Sequence, residues 1–260
     1  MTPSPAPAAG SQRRELPLQT GETLVFDWAP PAAGCPVAVF IHGLGSHRRG
    51  EKALHFAGRF VRLGWGFLAL DLRGHGESGG SIEQLSLSRC LEDVRAVLDW
   101  LGAPLAPRLL IGSSMGGAVA AWYQVRHPAA GLHVALIAPA LRFPAGMTQL
   151  PPRDLAEWKR AGFRRFTSEW IDLRIGYGLV EDAQQYPYEE LVRRYEAPTL
   201  VLHGLKDAAV PWRESVEFLE RAACPDVDVV LVKQGDHRLT AHKDFLFDVM
   251  TGWMRQRGAL

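Results

Sequence analysis

The sequence predicts an α/β fold built on a mainly parallel, doubly wound sheet. Short, nearly continuous apolar runs recur along the chain, as in strands covered on both faces. Segments with apolar residues at helical spacing stand between them. The two kinds alternate from about residue 23 to the end, the pattern of parallel strands joined by crossover helices.

The elements follow in order. A turn at Thr20-Gly21 precedes a strand in "TLVFDW". "VAVFIH" (37–42), "GFLALD" (66–71), "RLLIGS" (108–113), "HVALIA" (133–138), "PTLVLHG" (198–204) and "VDVVLV" (227–232) are the later strands. Helices are expected over "EKALHFAGRFVRL", "SRCLEDVRAVLDWL", "MGGAVAAWYQVRH", "RESVEFLERA" and "AHKDFLFDVMTGWMRQ". One domain therefore spans 15–260. Residues 1–14, opening with the proline-rich "MTPSPAPAA" and lacking the apolar core of a signal peptide, are expected to form a flexible tail. The interval from about 139 to 197 is too long for an ordinary crossover. It carries Phe143, Trp158, Phe163, Phe166, Trp170, Tyr177, Tyr186 and Tyr188 and a helix-like "RDLAEWKRAGFRRF". A short helical lid over a site is the expectation there.

Composition narrows the function classes. The chain has 260 residues, 47% hydrophobic and 22% charged, with a formal net charge of +1, so no bulk field draws nucleic acid or an anionic membrane. No apolar run approaches the roughly 20 residues that span a bilayer. Cys35, Cys90 and Cys224 are odd in number and widely spaced, which offers neither a disulfide framework nor a metal-ligand set and suits a reducing cytoplasm.

Chemistry is concentrated in "LLIGSSMGGAVA". Two serines stand where a buried strand meets a helix. A G-x-S-x-G frame fits Gly112-Ser113-Ser114-Met115-Gly116 and therefore centres on Ser114; centring on Ser113 would need glycines where Ile111 and Met115 stand. In a sharp strand-to-helix turn the serine hydroxyl is pushed into the open, and the residues two before and two after must be small. A serine needs a base. Of the histidines that follow, His127 and His133 fall at the wrong end of their elements and His203 lies inside a strand, where a core role is expected. His242 opens the last helix. His237, in "KQGDHRL" after the last strand, is the candidate base. The acid belongs after the preceding strand, where "LVLHGLKDAAVPW" places Asp207. Asp236 is expected to order its own loop. Backbone N–H groups of Leu44, in "FIHGLGS", and of Met115 are the expected oxyanion-hole donors, with His42 supporting the loop.

A literal G-x-G-x-x-G occurs at Gly74, Gly76 and Gly79. It is not in the first strand–helix turn and no helix opens within it, so no nicotinamide or flavin cofactor is expected. Asp71, Arg73 and His75 are read as ordering that loop. No zinc or Walker motif is present, so neither a metal nor a nucleotide cofactor is implied.

Taken together, "HGLGS", "DLRGHGESGG", "GSSMGG" and "LHGLKDAAVPW…GDHRL" resemble the α/β-hydrolase superfamily over residues 15–257. "LHGLKDAAVPW" and "DVDVVLVKQGDHRL" are similar to a narrower branch, the abhydrolase-domain palmitoyl-protein thioesterases and acyl-glucuronide esterases with their bacterial relatives. The resemblance implies an α/β-hydrolase fold and a serine hydrolase with Ser114, Asp207 and His237 as its triad. It would cleave carboxylic ester or thioester bonds of acyl or aryl substrates, small molecules or an acylated protein, through an acyl-enzyme. Peptidase or amidase chemistry with the same triad, and a non-catalytic ligand-binding protein on this scaffold, are the competing readings. Arg48, Arg49, Arg160, Arg164 and Arg165 are candidates to meet an anionic substrate group, against a solvated-surface role for most of them.

Overall fold

The computed structural model describes residues 6, 8, 10–169 and 171–260. In chain order its strands and α-helices are β1 (Gln12–Pro17), β2 (Thr23–Ala29), β3 (Val37–Ile41), α1 (Glu51–Arg62), β4 (Gly66–Asp71), α2 (Leu87–Leu101), β5 (Leu109–Ser113), α3 (Met115–Arg126) and β6 (His133–Ile137). Then follow α4 (Ala145–Thr148), α5 (Pro152–Ala161), β7 (Phe163–Thr167), β8 (Asp172–Gly176), α6 (Gly178–Ala183) and α7 (Tyr188–Arg194). The chain closes with β9 (Thr199–Gly204), α8 (Arg213–Arg221), β10 (Val227–Val232) and α9 (Lys243–Gln256).

Eight strands form one sheet in the order β1-β2-β4-β3-β5-β6-β9-β10. From β4 to β10 every pairing is parallel, whereas β1–β2 and β2–β4 are antiparallel. The strands expected from apolar runs are all present. Along β3, Val37, Val39 and Ile41 face one core while Ala38 and Phe40 face the other. That two-sided burial is why these strands read as continuous apolar runs. Phe56 and Phe60 of α1 pack with Phe247, Met250 and Met254 of α9 on one face; Val94, Val97, Trp122 and Phe218, from α2, α3 and α8, pack on the other. Helix limits follow local chemistry: the Ser86 hydroxyl caps α2 by accepting from the Arg89 N–H, and Gly102 ends it at φ 71°.

Two expectations need correction. Residues 12–14 belong to β1, paired with β2 through Gln12–Trp28 and Arg13–Asp27, and are not part of a tail; residues 1–5, 7 and 9, like Trp170, lie outside the described residues. The insertion between β6 and β9 is not purely helical. The helix expected over 153–166 stops at Ala161, because Gly162 turns left-handed at φ 78°, and β7 and β8 then form an antiparallel hairpin. A charged, half-buried "FRRFT" carries too weak an alternation to announce a strand.

At the end of β5 the backbone of Ser114 takes φ 54° and ψ −119°, a conformation that costs a non-glycine residue on the order of 1–3 kcal/mol. The doubling-back of the chain is possible only without neighbouring side chains. A Cβ on Gly112 would lie 2.3 Å from the Gly116 carbonyl oxygen, and one on Gly116 would lie 2.3 Å from the Ile41 carbonyl oxygen. The Ser114 N–H donates to the Ile137 carbonyl at 2.9 Å, and the Ser114 carbonyl accepts from Gly117 and Ala140 at 2.8 and 3.1 Å.

The loop after β3 is held by buried charge. The Arg48 side chain is fully buried; its backbone N–H donates to Asp71 at 2.6 Å, and its guanidinium pairs with Asp71, Asp27 and Glu77. Arg49 pairs with Asp27 at 2.7 Å. Gly76 gives way to this cluster, since a Cβ there would overlap the Asp71 carboxylate. Arg73 closes the same region onto Asp93. Below the loop, the buried rings of His42 and His75 lie 4.9 Å apart. The Leu72 N–H donates to His42 Nε2 at 3.1 Å, and His42 Nδ1 donates to the Gly43 carbonyl at 2.8 Å, which defines a neutral imidazole. Burial pushes His42 down to about 4 and, with the His42 neighbour, His75 down to about 3.

Gly116→Ala is expected to destabilise the protein by about 3 kcal/mol or more, because the new methyl meets backbone that cannot move aside. In a thermal melt that corresponds to a drop of about 6–12 °C; an unchanged melt would contradict the packing at Ser114. The two histidines set a second expectation. Both hold folded values below the ordinary 6.5, so below that pH the unfolded chain binds more protons and stability falls as pH falls. Replacing His75 with non-titrating glutamine should lessen the stability lost between about pH 6.5 and 4.5 by about 2 kcal/mol. Urea unfolding of both proteins at the two pH values reads the difference.

Candidate active site

Ser114, at the carboxyl end of β5, is the first residue of the site. A serine before a helix normally caps it, but Ser114 makes no side-chain cap to α3. Its backbone conformation turns the hydroxyl away from the helix, and Ser114 Oγ lies 3.0 Å from His237 Nε2. His237 stands in the loop after β10, kept in shape by Asp236, which accepts the Leu239 N–H at 2.7 Å. His237 Nδ1 lies 2.7 Å from Asp207 Oδ2. Asp207 stands in the loop after β9, and its side chain is fully buried. Three residues far apart in sequence thus meet at one edge of the sheet, as strands running parallel require.

The Asp207 carboxylate is densely bonded. Oδ1 accepts the N–H groups of Ala209 and Val210, both at 2.8 Å, and Oδ2 accepts from both His237 and His203. Burial by itself would raise its pKa. The hydrogen bonds from His203, His237 and the Val210 N–H overturn that and hold the carboxyl well below the usual range. His203 sits inside β9, as expected, but its expected core role is incomplete, because it also binds Asp207. The signal was the four-residue spacing in "HGLKD", which carries an imidazole at the strand's end and a carboxylate just past it.

Leu44 and Met115 flank Ser114. A Cβ on Gly43 would lie 3.1 Å from Ser114 Cβ, so the loop after β3 runs directly against the serine. Met115 is the first residue of α3, where an N–H has no intrahelical acceptor. Among the described residues no acceptor takes the Leu44 N–H.

These groups open into a cavity of about 710 Å³ that Leu44, Ser114, Met115 and His237 all line. Its apolar wall includes Phe143, Met147, Phe166 and Ile171, supplied by the insertion. The β7–β8 hairpin closes on the loop after β3: Gly45, at φ 68°, leaves no room for a Cβ, which would lie 2.8 Å from Ile171 Cγ2. Most of the insertion's aromatics do not face the cavity. Trp158 is buried, donates to the Ile175 carbonyl at 2.9 Å and packs on Phe166 and Tyr177. Tyr186 packs on Trp122 of α3. The insertion is a cavity wall whose buried residues join the core on one face of the sheet.

The five arginines proposed for an anionic group do not converge on this cavity. Arg48 and Arg49 belong to the buried cluster, Arg165 pairs with Asp172 at 2.6 Å and Arg164 lies 3.7 Å from Asp154; Arg160 does not line the cavity. The charged wall is instead Glu51, Lys52, Arg142, Glu214 and Arg238. Lys52, pushed down to about 8 by burial, donates to the Arg238 carbonyl beside His237. Arg142 is bound by both oxygens of Glu217 and lies over the Tyr188 ring. Among the described residues no cluster of histidine, cysteine or carboxylate groups could hold a metal, and no helix is long and apolar enough to cross a membrane.

Residues 34–175 match the family described as serine aminopeptidase, S33 (Hydrolase_4). The bovine mitochondrial palmitoyl-protein thioesterase ABHD10 is 30% identical over 220 residues, covering 83% of this chain and 71% of that protein. A monoacylglycerol lipase of Mycolicibacterium smegmatis is 27% identical, covering 90% of this chain and 93% of the lipase. The solved structure of mouse alpha/beta hydrolase domain-containing protein 10 matches with a TM-score of 0.83 at 26% identity, over 94% of this chain and 99% of that one. With a family model spanning more than half its length and a thioesterase relative aligned over most of both chains, this chain belongs to the serine aminopeptidase S33 family of α/β-hydrolases.

Proposed function

We propose that this enzyme hydrolyses carboxylic esters or thioesters of acyl or aryl acids, with Ser114 as nucleophile, His237 as general base and Asp207 as its orienting acid. The observation that carries the reading is the chain of contacts at 3.0 and 2.7 Å from Ser114 Oγ through His237 to Asp207, opening on a cavity with an apolar wall. The activities printed for the relatives, thioesterase and lipase, agree with it.

The steps follow from the groups present. Asp207 accepts from His237 Nδ1, so the neutral imidazole presents Nε2 as an acceptor to the serine hydroxyl. Ser114 Oγ attacks the substrate carbonyl while its proton passes to His237. The oxygen that becomes negative meets the N–H groups of Leu44 and Met115, reinforced by the amino end of α3. His237 then gives the proton to the departing alcohol or thiol, leaving Ser114 acylated. Water enters, His237 takes its proton, and the acid is released as Ser114 Oγ regains a hydrogen. The wall of Phe143, Met147, Phe166 and Ile171 suits an acyl chain or aryl ring.

Ser114→Ala is expected to lower kcat for p-nitrophenyl butyrate by about four orders of magnitude or more, with an unchanged melt. It should also abolish labelling by a fluorophosphonate probe. Undiminished turnover would reject the assignment. Asp207→Asn should lower kcat by about 10⁴-fold by favouring the wrong imidazole tautomer. An ester, a thioester and an amide of one acyl group, compared by kcat/KM, separate the esterase reading from amidase chemistry. Preference for the amide would overturn it.

A further inference from the structure

We infer that His203 and Ser215 form a positioning pair that fixes the Asp207 carboxylate from behind the triad. The inference rests on the proposed triad and adds two residues that do not touch substrate. His203 and Ser215 are both fully buried, one inside β9 and the other in the first turns of α8. His203 Nε2 lies 3.0 Å from Asp207 Oδ2 and 3.1 Å from the Val210 carbonyl oxygen. His203 Nδ1 lies 2.7 Å from Ser215 Oγ.

The proton positions follow by elimination. An ionised carboxylate and a backbone carbonyl only accept, so Nε2 must carry the hydrogen. In the neutral ring Nδ1 is then an acceptor, and the Ser215 hydroxyl must donate to it. Ser215 thereby selects the tautomer of His203. Were Nδ1 protonated instead, the Nε2 lone pair would face two oxygens. Oδ2 consequently receives two imidazole N–H groups, His203 from the β9 side and His237 from the β10 loop, while Oδ1 takes the Ala209 and Val210 N–H groups. A carboxylate with four donors cannot rotate without losing several of them. His237 is aimed by that immobility. Its Nε2 sits within reach of Ser114 Oγ only while Oδ2 stays where His203 holds it.

The test is a set of four variants assayed with p-nitrophenyl butyrate. His203→Leu removes the donor and is expected to lower kcat about 10- to 100-fold with KM changed less than about twofold, the scale of one hydrogen bond to a charged group. His203→Gln places an amide N–H near the former Nε2 and should recover most of that loss. Ser215→Ala should lower kcat about 3- to 10-fold, since it releases the tautomer. In Ser215→Ala combined with His203→Gln, that penalty should vanish, because an amide needs no tautomer selected. A merely structural serine would give the same loss in both backgrounds. Equal loss from Ser215→Ala with and without His203, or full kcat in His203→Leu, overturns the inference. If His203→Leu does not fold, the Ser215/His203→Gln cycle still decides. Activity surviving Ser114→Ala would instead sink the triad reading, so the two failures are distinguishable.

Discussion

The close crossing of backbones beneath Ser114 is the constraint on which the rest of the molecule depends. Gly112, Gly116 and the carbonyls of Ile41 and His42 approach so closely that no side chain fits between them. Only in that crossing does a serine hold φ 54°, and only from that conformation does its hydroxyl miss the cap of α3 and reach His237. The same approach brings the loop after β3 against Ser114, with Leu44 beside it. Ser114, helix amino end and neighbouring loop are thus one packing event. Strain of this kind persists because the surrounding sheet over-determines it.

Charge has been placed to immobilise loops. Arg48, Arg49, Arg73 and their acids lie in or under the turns after β3 and β4, and several are removed from water. Buried ion pairs contribute little net stability, yet removing one partner costs about 3–5 kcal/mol. Their consequence is geometric: the loop after β3, which borders the site, and the loop after β4 beside it are pinned by charge pairs. The neutral pair His42 and His75 extends that floor. Asp207 follows the same logic at the centre of the site, a buried carboxylate held by four donors.

The insertion joins the apolar wall of the cavity to this rigid edge. Its hairpin rests on Gly45, so the apolar wall and the loop carrying Leu44 are in direct contact. Trp158, Phe166 and Tyr177 pack on one another and join the segment to the core on one face of the sheet. Phe143, Met147 and Ile171 line the cavity, and Phe143 also belongs to the core on one face of the sheet.

Local patterns by themselves determined the parallel sheet, its helices and the candidates Ser114, Asp207 and His237. Two-sided burial writes a strand as an apolar run, an elbow demands glycines at fixed offsets, and parallel strands deliver their loops to one edge. Local patterns did not reveal β1 or the β7–β8 hairpin, because the exposed β1 and the half-buried, charged β7 alternate too weakly. Nor did they assign Arg48 and Arg49, because a surface arginine and a buried one look alike until their acids are placed. The distances that join Ser114 to His237 and Asp207, and the second imidazole of His203 on the same carboxylate oxygen, were decided by tertiary structure alone. A hydrogen bond between residues 123 positions apart depends on how the strands align in space, which no local spacing encodes.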